Sequence, residues 1–165
     1  MQTGAISYKH ILNISIPIVL SGVAQNIVNV TDTAFLGRLG KIELGAAGNA
    51  GLFYFAFVML GMGMSTGSQI IIGRRNGEKN YAQVGAIFNH TLFLMIPLGI
   101  IMFLLLYYIS PVIFESFTNS DSISKASISY MSYRSPGILF ALFNFVFISY
   151  FVGTTRTNIL TYSTL

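Results

Sequence analysis

Four long stretches of this chain carry no full charge, and they restrict what it can fold into. Residues 10–31 form a gap of 22, residues 44–73 one of 30, residues 80–114 one of 35 and residues 135–155 one of 21. A helix that crosses the hydrocarbon core of a bilayer needs roughly 20 mostly apolar residues, and all four gaps reach that length. Of the 165 residues, 53% are hydrophobic and 8% charged, whereas soluble domains carry about 25% charged residues. Such a chain cannot coat a water-facing surface. The sequence therefore predicts an all-α polytopic membrane protein.

Spans are expected at about 11–36, 44–73, 84–109 and 133–152, with the start of a fifth from about 157. Residues 1–165 then form a single membrane unit with no separate soluble domain. Pro17 is expected to bend or loosen the first span, and Pro97 to interrupt the third, because proline removes a helical hydrogen bond. GRLGKIE (37–43) reads as a short loop, RRNGEKNYAQ (74–83) as a second with Asn76-Gly77 as its turn signal, and ESFTNSDSISK (115–125) as a polar third. The apolar run after Lys9 is longer than a signal-peptide core and lacks a small-x-small cleavage site, so it reads as a mature span. No low-complexity segment or internal repeat stands out.

The net charge of +4 is no nucleic-acid signature, since the positive residues sit at span ends and form no stripe. They also orient the chain. Lys9, Arg74, Arg75, Lys79 and Arg156 share one side, against Arg38, Lys41 and Lys125 on the other, with Arg134 near that second interface. The positive-inside rule then predicts a cytoplasmic N-terminus and a cytoplasmic 74–83 loop. With no cysteine, disulfides and thiolate metal sites are excluded.

Within these spans, Asp32 is the side chain that most needs a reason. Ser21, Gln25, Asn29 and Asp32 follow one another at spacings of four, four and three, one stripe on a helix. Facing lipid, an Asp costs about 2.5–3.5 kcal/mol at a span centre, so the stripe is expected to face other helices or a watery cavity. A carboxyl group so placed is suited to bind and release a proton or to hold a cation such as Na+. The structural alternative is an interfacial Asp paired with Arg38 or Lys41. Ser21, Gln25 and Asn29 are the candidate cavity-lining residues. Gly63 and Gly67, a G-x-x-x-G, are expected at a close helix crossing, as are Gly45, Gly48 and Gly51.

Further candidates have plainer explanations. Gln69 reads as a hydrogen-bonding residue between helices, His90 as a packing residue or a proton relay, and Arg134 as a snorkelling anchor beside Tyr130 and Tyr133. The sequons at Asn13, Asn29 and Asn89 fall in or beside apolar spans and are rejected as glycosylation sites. Fourteen Phe, nine Tyr and seven Met would suit flat, amphipathic cations wherever they line a cavity. There is no P-loop, no H-E-x-x-H, no G-x-S-x-G and no metal-spaced His or Cys pair, so no enzyme and no cofactor are expected.

Several stretches together resemble one family. IPIVLSGVAQNIVNVTDTAFLGRLG resembles the first helix of the multidrug and toxic compound extrusion (MATE) transporters, with its Pro, Gln, Asp-Thr and Gly-x-Leu-Gly exit. GAAGNAGLFYFAFVMLGMGMSTGSQIIIGRRNGEK is similar to the second helix, and YMSYRSPGILFALFNFVFISYFVGTTRT to the fourth with its turn into the fifth. The likeness runs along nearly the whole chain, and its bacterial branch is the most similar. Asn158 departs from it, standing where many relatives have a Pro.

The resemblance implies the N-lobe portion of a twelve-helix secondary transporter, multi-pass in a bacterial inner membrane. Two six-helix lobes would open alternately, exchanging Na+ or H+ for organic cations or other toxic compounds. The family's coupling Asp maps onto Asp32. Its fifth- and sixth-helix partners fall beyond this chain, so the remaining helices of a full-length transporter are expected partners, beside membrane lipids and amphipathic, cationic substrates. Two alternatives stay open: a lipid-linked oligosaccharide flippase of the same superfamily, and a non-transporting membrane module or passive channel.

Overall fold

The computed structural model describes residues 8–157 and 159. Five helices follow in chain order: α1 (Tyr8–Leu39), α2 (Lys41–Gly77), α3 (Tyr81–Phe117), α4 (Asp121–Arg134) and α5 (Gly137–Gly153). No strand occurs among the described residues. The helix expected from about 157 lies, beyond Thr157 and Ile159, outside the described residues, as does Asn158.

Two helices, α2 and α3, are each long and apolar enough to cross a membrane, and the bent pair α4–α5 makes a third such stretch. At a rise of 1.5 Å per residue, 37 residues extend about 55 Å, well beyond a hydrocarbon core of about 30 Å. Helix therefore continues into segments that composition marks as loops. The 37–43 connection shrinks to Gly40, whose φ of 157° and ψ of 172° belong to a region almost reserved for glycine. A β carbon there would meet the Glu43 carboxylate.

Asn76-Gly77 is not the turn. Both residues sit in the last turn of α2, and the left-handed position falls instead on Lys79, at φ 57°. The Asn80 N–H donates to the Arg75 carbonyl (2.9 Å) and the Lys79 N–H to that of Asn76 (3.0 Å), the paired bonds of a Schellman ending. α5 ends the same way. The Arg156 N–H donates to Phe151 (2.8 Å) and the Thr155 N–H to Val152 (3.0 Å), with Thr155 at φ 60°.

The fourth span is also redrawn. Instead of one helix over 133–152, α4 starts at Asp121 inside the expected loop and meets α5 at a bend of 51°. Pro136 explains the break, because it has no N–H to give the Ser132 carbonyl. The Ser135 hydroxyl donates to that carbonyl instead, at 3.3 Å. Elsewhere proline is absorbed. α3 runs unbroken through Pro97 and Pro111, and α1 through Pro17.

The core lies between α2, α3, α4 and α5, centred on Ala50, Met95, Leu106, Met131, Ile138 and Leu142. Gly61 brings α2 close to α5, since a β carbon there would overlap the Leu142 side chain. Polar links cross the same seams. The Ser65 hydroxyl donates to the Phe145 carbonyl (2.6 Å). A 2.8 Å bond joins the hydroxyls of Ser68 on α2 and Thr91 on α3. α1 lies outside this core and packs mainly on α2; Val19, Ile27, Val30 and Phe35 stay more than 60% exposed.

Candidate functional site

α1 meets its own polar demands locally. Asn26 donates to the Gly22 carbonyl (2.9 Å), Thr31 to Ile27 (2.8 Å) and Thr33 to Asn29 (2.8 Å). Donors folded back onto their own helix need no outside partner. A carboxylate at Asp32 accepts but does not donate, so it cannot be satisfied in this way.

Asp32 opens onto a cleft of about 300 Å³ between α1, α2 and α4. Asn29 and Thr33 flank it on α1, Gly48 and Gly51 leave room on α2, and Tyr130 and Arg134 close the α4 side. No cation stands within ion-pair distance of Asp32 among the described residues. The two ion pairs found join Arg74 and Arg75 to Glu78, so the pairing of Asp32 with Arg38 or Lys41 is not formed.

Arg134 is more than a membrane anchor. Its guanidinium donates to the Tyr130 hydroxyl at 2.7 Å and stands 4.7 Å over the Tyr54 ring and 5.6 Å over that of Tyr130. Cation–π contacts of this kind contribute about 0.5–1 kcal/mol at exposed sites. The charge is thus held on the cleft wall by two phenols and not by a carboxylate. Arg134 ends α4 immediately before the Pro136 bend, and the Tyr54 hydroxyl lies 3.7 Å from where a β carbon would stand at Gly137 beyond it.

The other candidates separate. Asn29 joins Asp32 in the cleft; Ser21 is half-buried and Gln25 exposed on the same helix, and neither lines it. Gly63 and Gly67 are exposed with open space where a β carbon would stand, so the close crossing expected of them occurs two residues earlier, at Gly61. Gly45 does pack closely, since a β carbon there would lie 3.3 Å from the Ile123 side chain, whereas Gly48 and Gly51 widen the cleft. Gln69 is half-buried where its backbone oxygen would lie 3.1 Å from a β carbon at Gly153. His90 is exposed on α3, away from the cleft.

Thr33 in the cleft and Tyr54 under Arg134 are residues that sequence reasoning did not single out, and Tyr130 stood there only as a neighbour of the Arg134 anchor. One signal was present: Tyr130 stands four residues before Arg134, the spacing that sets two side chains on one helical face.

With this geometry in place, the chain's relatives become informative. Protein DETOXIFICATION 36 of Arabidopsis thaliana is 28% identical over 126 residues, covering 74% of this chain and 25% of that protein. A probable multidrug resistance protein, NorM, of Pasteurella multocida (strain Pm70) is 28% identical over 127 residues, covering 74% and 26%. The chain thus spans about a quarter of the length of the curated relatives it matches.

Among solved structures, the outward-facing conformation of a multidrug resistance MATE family transporter of the MOP superfamily superposes with a TM-score of 0.89, at 22% identity, over 94% of this chain and 35% of that one. A MOP superfamily transporter from Pyrococcus furiosus Vc1 (DSM3638), described as having a binding pocket of reverse polarity, gives the same score over 94% and 34%. These likenesses establish the helical arrangement. The MatE family profile matches residues 17–165, nearly the whole sequence, and the chain belongs to that family.

Proposed function

We propose that this chain is the N-terminal part of the N-lobe of a secondary multidrug efflux antiporter, which exchanges Na+ or H+ for organic cations or other toxic compounds by alternating access. In this reading α1, α2, α3 and the bent pair α4–α5 are four spans, and a fifth begins near residue 157. The remaining helices of a twelve-helix transporter complete the cleft. The protein sits in a bacterial inner membrane with its N-terminus in the cytoplasm. The observation that carries the reading is Asp32, an ionisable group on an apolar helix that faces a cleft and is paired with no cation among the described residues. An intramembrane carboxylate of this kind is a functional site by default, and its charge suits it to a cation or a proton. Either a coupling ion or an amphipathic cation can neutralise it, and only one at a time.

A flippase for lipid-linked sugars needs several cations to receive a pyrophosphate. This cleft offers one, Arg134, opposite a carboxylate, which does not favour that alternative. The test is gradient-driven efflux from proteoliposomes carrying the protein. Asp32→Asn should reduce Na+- or H+-driven efflux of a cationic dye at least about 10-fold while leaving the protein folded. Coupled efflux that survives the substitution would sink the proposal, and transport indifferent to any ion gradient would favour a passive channel.

A further inference from the structure

A second cavity lies at the opposite end of the bundle, where α2 and α5 finish and α3 starts. It measures about 380 Å³ and is bordered by Asn76, Tyr81, Tyr150, Thr154, Thr155 and Arg156. Its one full charge is Arg156, which has no carboxylate within ion-pair distance among the described residues. The surrounding loops add to that sign. Arg74 and Arg75 share the single carboxylate of Glu78, and Lys79 has no ion-pair partner among the described residues.

The donors also point one way. Thr154 and Thr155 spend their hydroxyl hydrogens on the carbonyls of Tyr150 (2.8 Å) and Thr154 (2.7 Å), so they offer no further donor. That leaves the Arg156 guanidinium, the Asn76 amide and the phenols of Tyr81 and Tyr150 to meet a ligand. A planar guanidinium beside neutral donors matches a phosphate, which accepts several hydrogen bonds at once and takes Arg in a bidentate grip. The start of α3 presents its positive end to the same space.

Both connections around the cavity hold a non-glycine residue in left-handed backbone, Thr155 at φ 60° and Lys79 at φ 57°. Each costs roughly 1–2 kcal/mol that a glycine would spare. Such strain gathers where side-chain placement matters, and the Thr155 turn is what delivers Arg156 to the cavity. Val84, on the wall, begins the apolar part of α3, so the site stands at headgroup depth, flanked by interfacial tyrosines.

We infer that this cavity binds a phosphate-bearing anion, held by Arg156 with Asn76, Tyr81 and Tyr150. An anionic phospholipid head group and free phosphate share that chemistry. Basic pockets between membrane helices hold lipid head groups in this manner. The inference does not depend on what the Asp32 cleft transports.

The test is native mass spectrometry of the purified protein titrated with short-chain phosphatidylglycerol, with phosphatidylcholine, and with inorganic phosphate as a competitor. Phosphatidylglycerol should bind, and Arg156→Gln should weaken it at least about 10-fold, the loss of a charge-assisted pair. Arg74→Gln, which removes an equal charge outside the cavity, should change binding less than about 2-fold, as expected for a screened surface charge. Asn76→Asp keeps Arg156 and places a carboxylate in the cavity; it should be as damaging as Arg156→Gln, and it covers the case in which that variant fails to fold. Competition by inorganic phosphate would identify a free-anion site, and its absence a lipid site. Equal losses in Arg74→Gln and Arg156→Gln, or binding of neither probe, would overturn the inference.

Discussion

Arg134 and Asp32 line one cleft from different helices, α4 and α1, and do not pair. The guanidinium is held back by the Tyr130 hydroxyl at 2.7 Å and the Tyr54 ring at 4.7 Å. A fixed cation on the wall lowers the affinity of the cleft for any other cation that Asp32 attracts. At about 10 Å, with screening between the water and protein limits, that repulsion is on the order of 1 kcal/mol. Arg134→Gln should therefore tighten binding of a permanent organic cation about 5-fold, and Arg134→Lys should restore the original affinity. The gain should vanish when Asp32→Asn is added. Isothermal titration on the parent, Arg134→Gln, Asp32→Asn and their double variant checks this double-mutant cycle, with Arg134→Lys measured beside them.

Gly61 and Gly63 offer a matched pair on α2. A β carbon at Gly61 would overlap Leu142, and one at Gly63 meets nothing within 4 Å. Gly61→Ala should cost about 1–3 kcal/mol through overpacking. Gly63→Ala should be neutral or stabilising by up to about 1 kcal/mol, the ordinary helix preference of Ala over Gly. Unfolding in mixed micelles under denaturant separates the two. A large penalty at Gly63 would mean that a further helix packs on the exposed face.

Uncharged length was a reliable guide to where helix lies, because lipid leaves a backbone no choice but to satisfy itself internally. It was a poor guide to helix ends. Nothing in a polar segment such as 115–125 or 74–77 prevents helix once the neighbouring turns are formed, so α3 and α4 take over most of the first and α2 the whole of the second. Proline illustrates the same dependence on surroundings. Pro136 breaks its helix beside Ser135 and Gly137, while Pro97 and Pro111 do not break theirs. At the cleft, Asp32 and Asn29 were legible, because a polar stripe on one helix is local information. The grip of Tyr54 on Arg134 joins residues 80 positions apart, and no periodicity reports that. Gly61 escaped notice for a similar reason: the repeat Gly63-x-x-x-Gly67 is visible in sequence, but the partner that makes a glycine necessary is not.

Glu78 supplies a pH prediction outside the membrane. Hydrogen bonds from Arg75 (2.6 Å) and Arg74 (3.1 Å) hold its carboxyl below the ordinary range of a glutamate. A folded-state pKa below the unfolded one adds stability above the unfolded value, and that stability fades as pH falls through the folded one. The group is exposed, so the effect is small and weakens with salt. Glu78→Gln should lower the melting temperature slightly at pH 7, and not at a pH below the folded pKa, where both side chains are neutral. Melting curves at the two pH values in low salt check the sign; an equal loss at both would assign the effect to lost hydrogen bonds alone.

The two left-handed helix ends should respond unequally to glycine. Lys79 and Thr155 hold almost the same φ, yet Thr is β-branched, and its side chain suits that region worse than the straight chain of Lys. Glycine also loosens the unfolded chain, which offsets part of the gain at either position. Lys79→Gly should stabilise by about 0.5–1 kcal/mol, and Thr155→Gly by somewhat more. Among the described residues the Thr155 hydroxyl bonds to the neighbouring Thr154 carbonyl, so removing it breaks no link between described helices. Chemical unfolding of both variants beside the parent protein ranks them. If Thr155→Gly instead destabilises, the turn owes its shape to contacts made by the threonine side chain and not to the backbone bonds of Thr155 and Arg156.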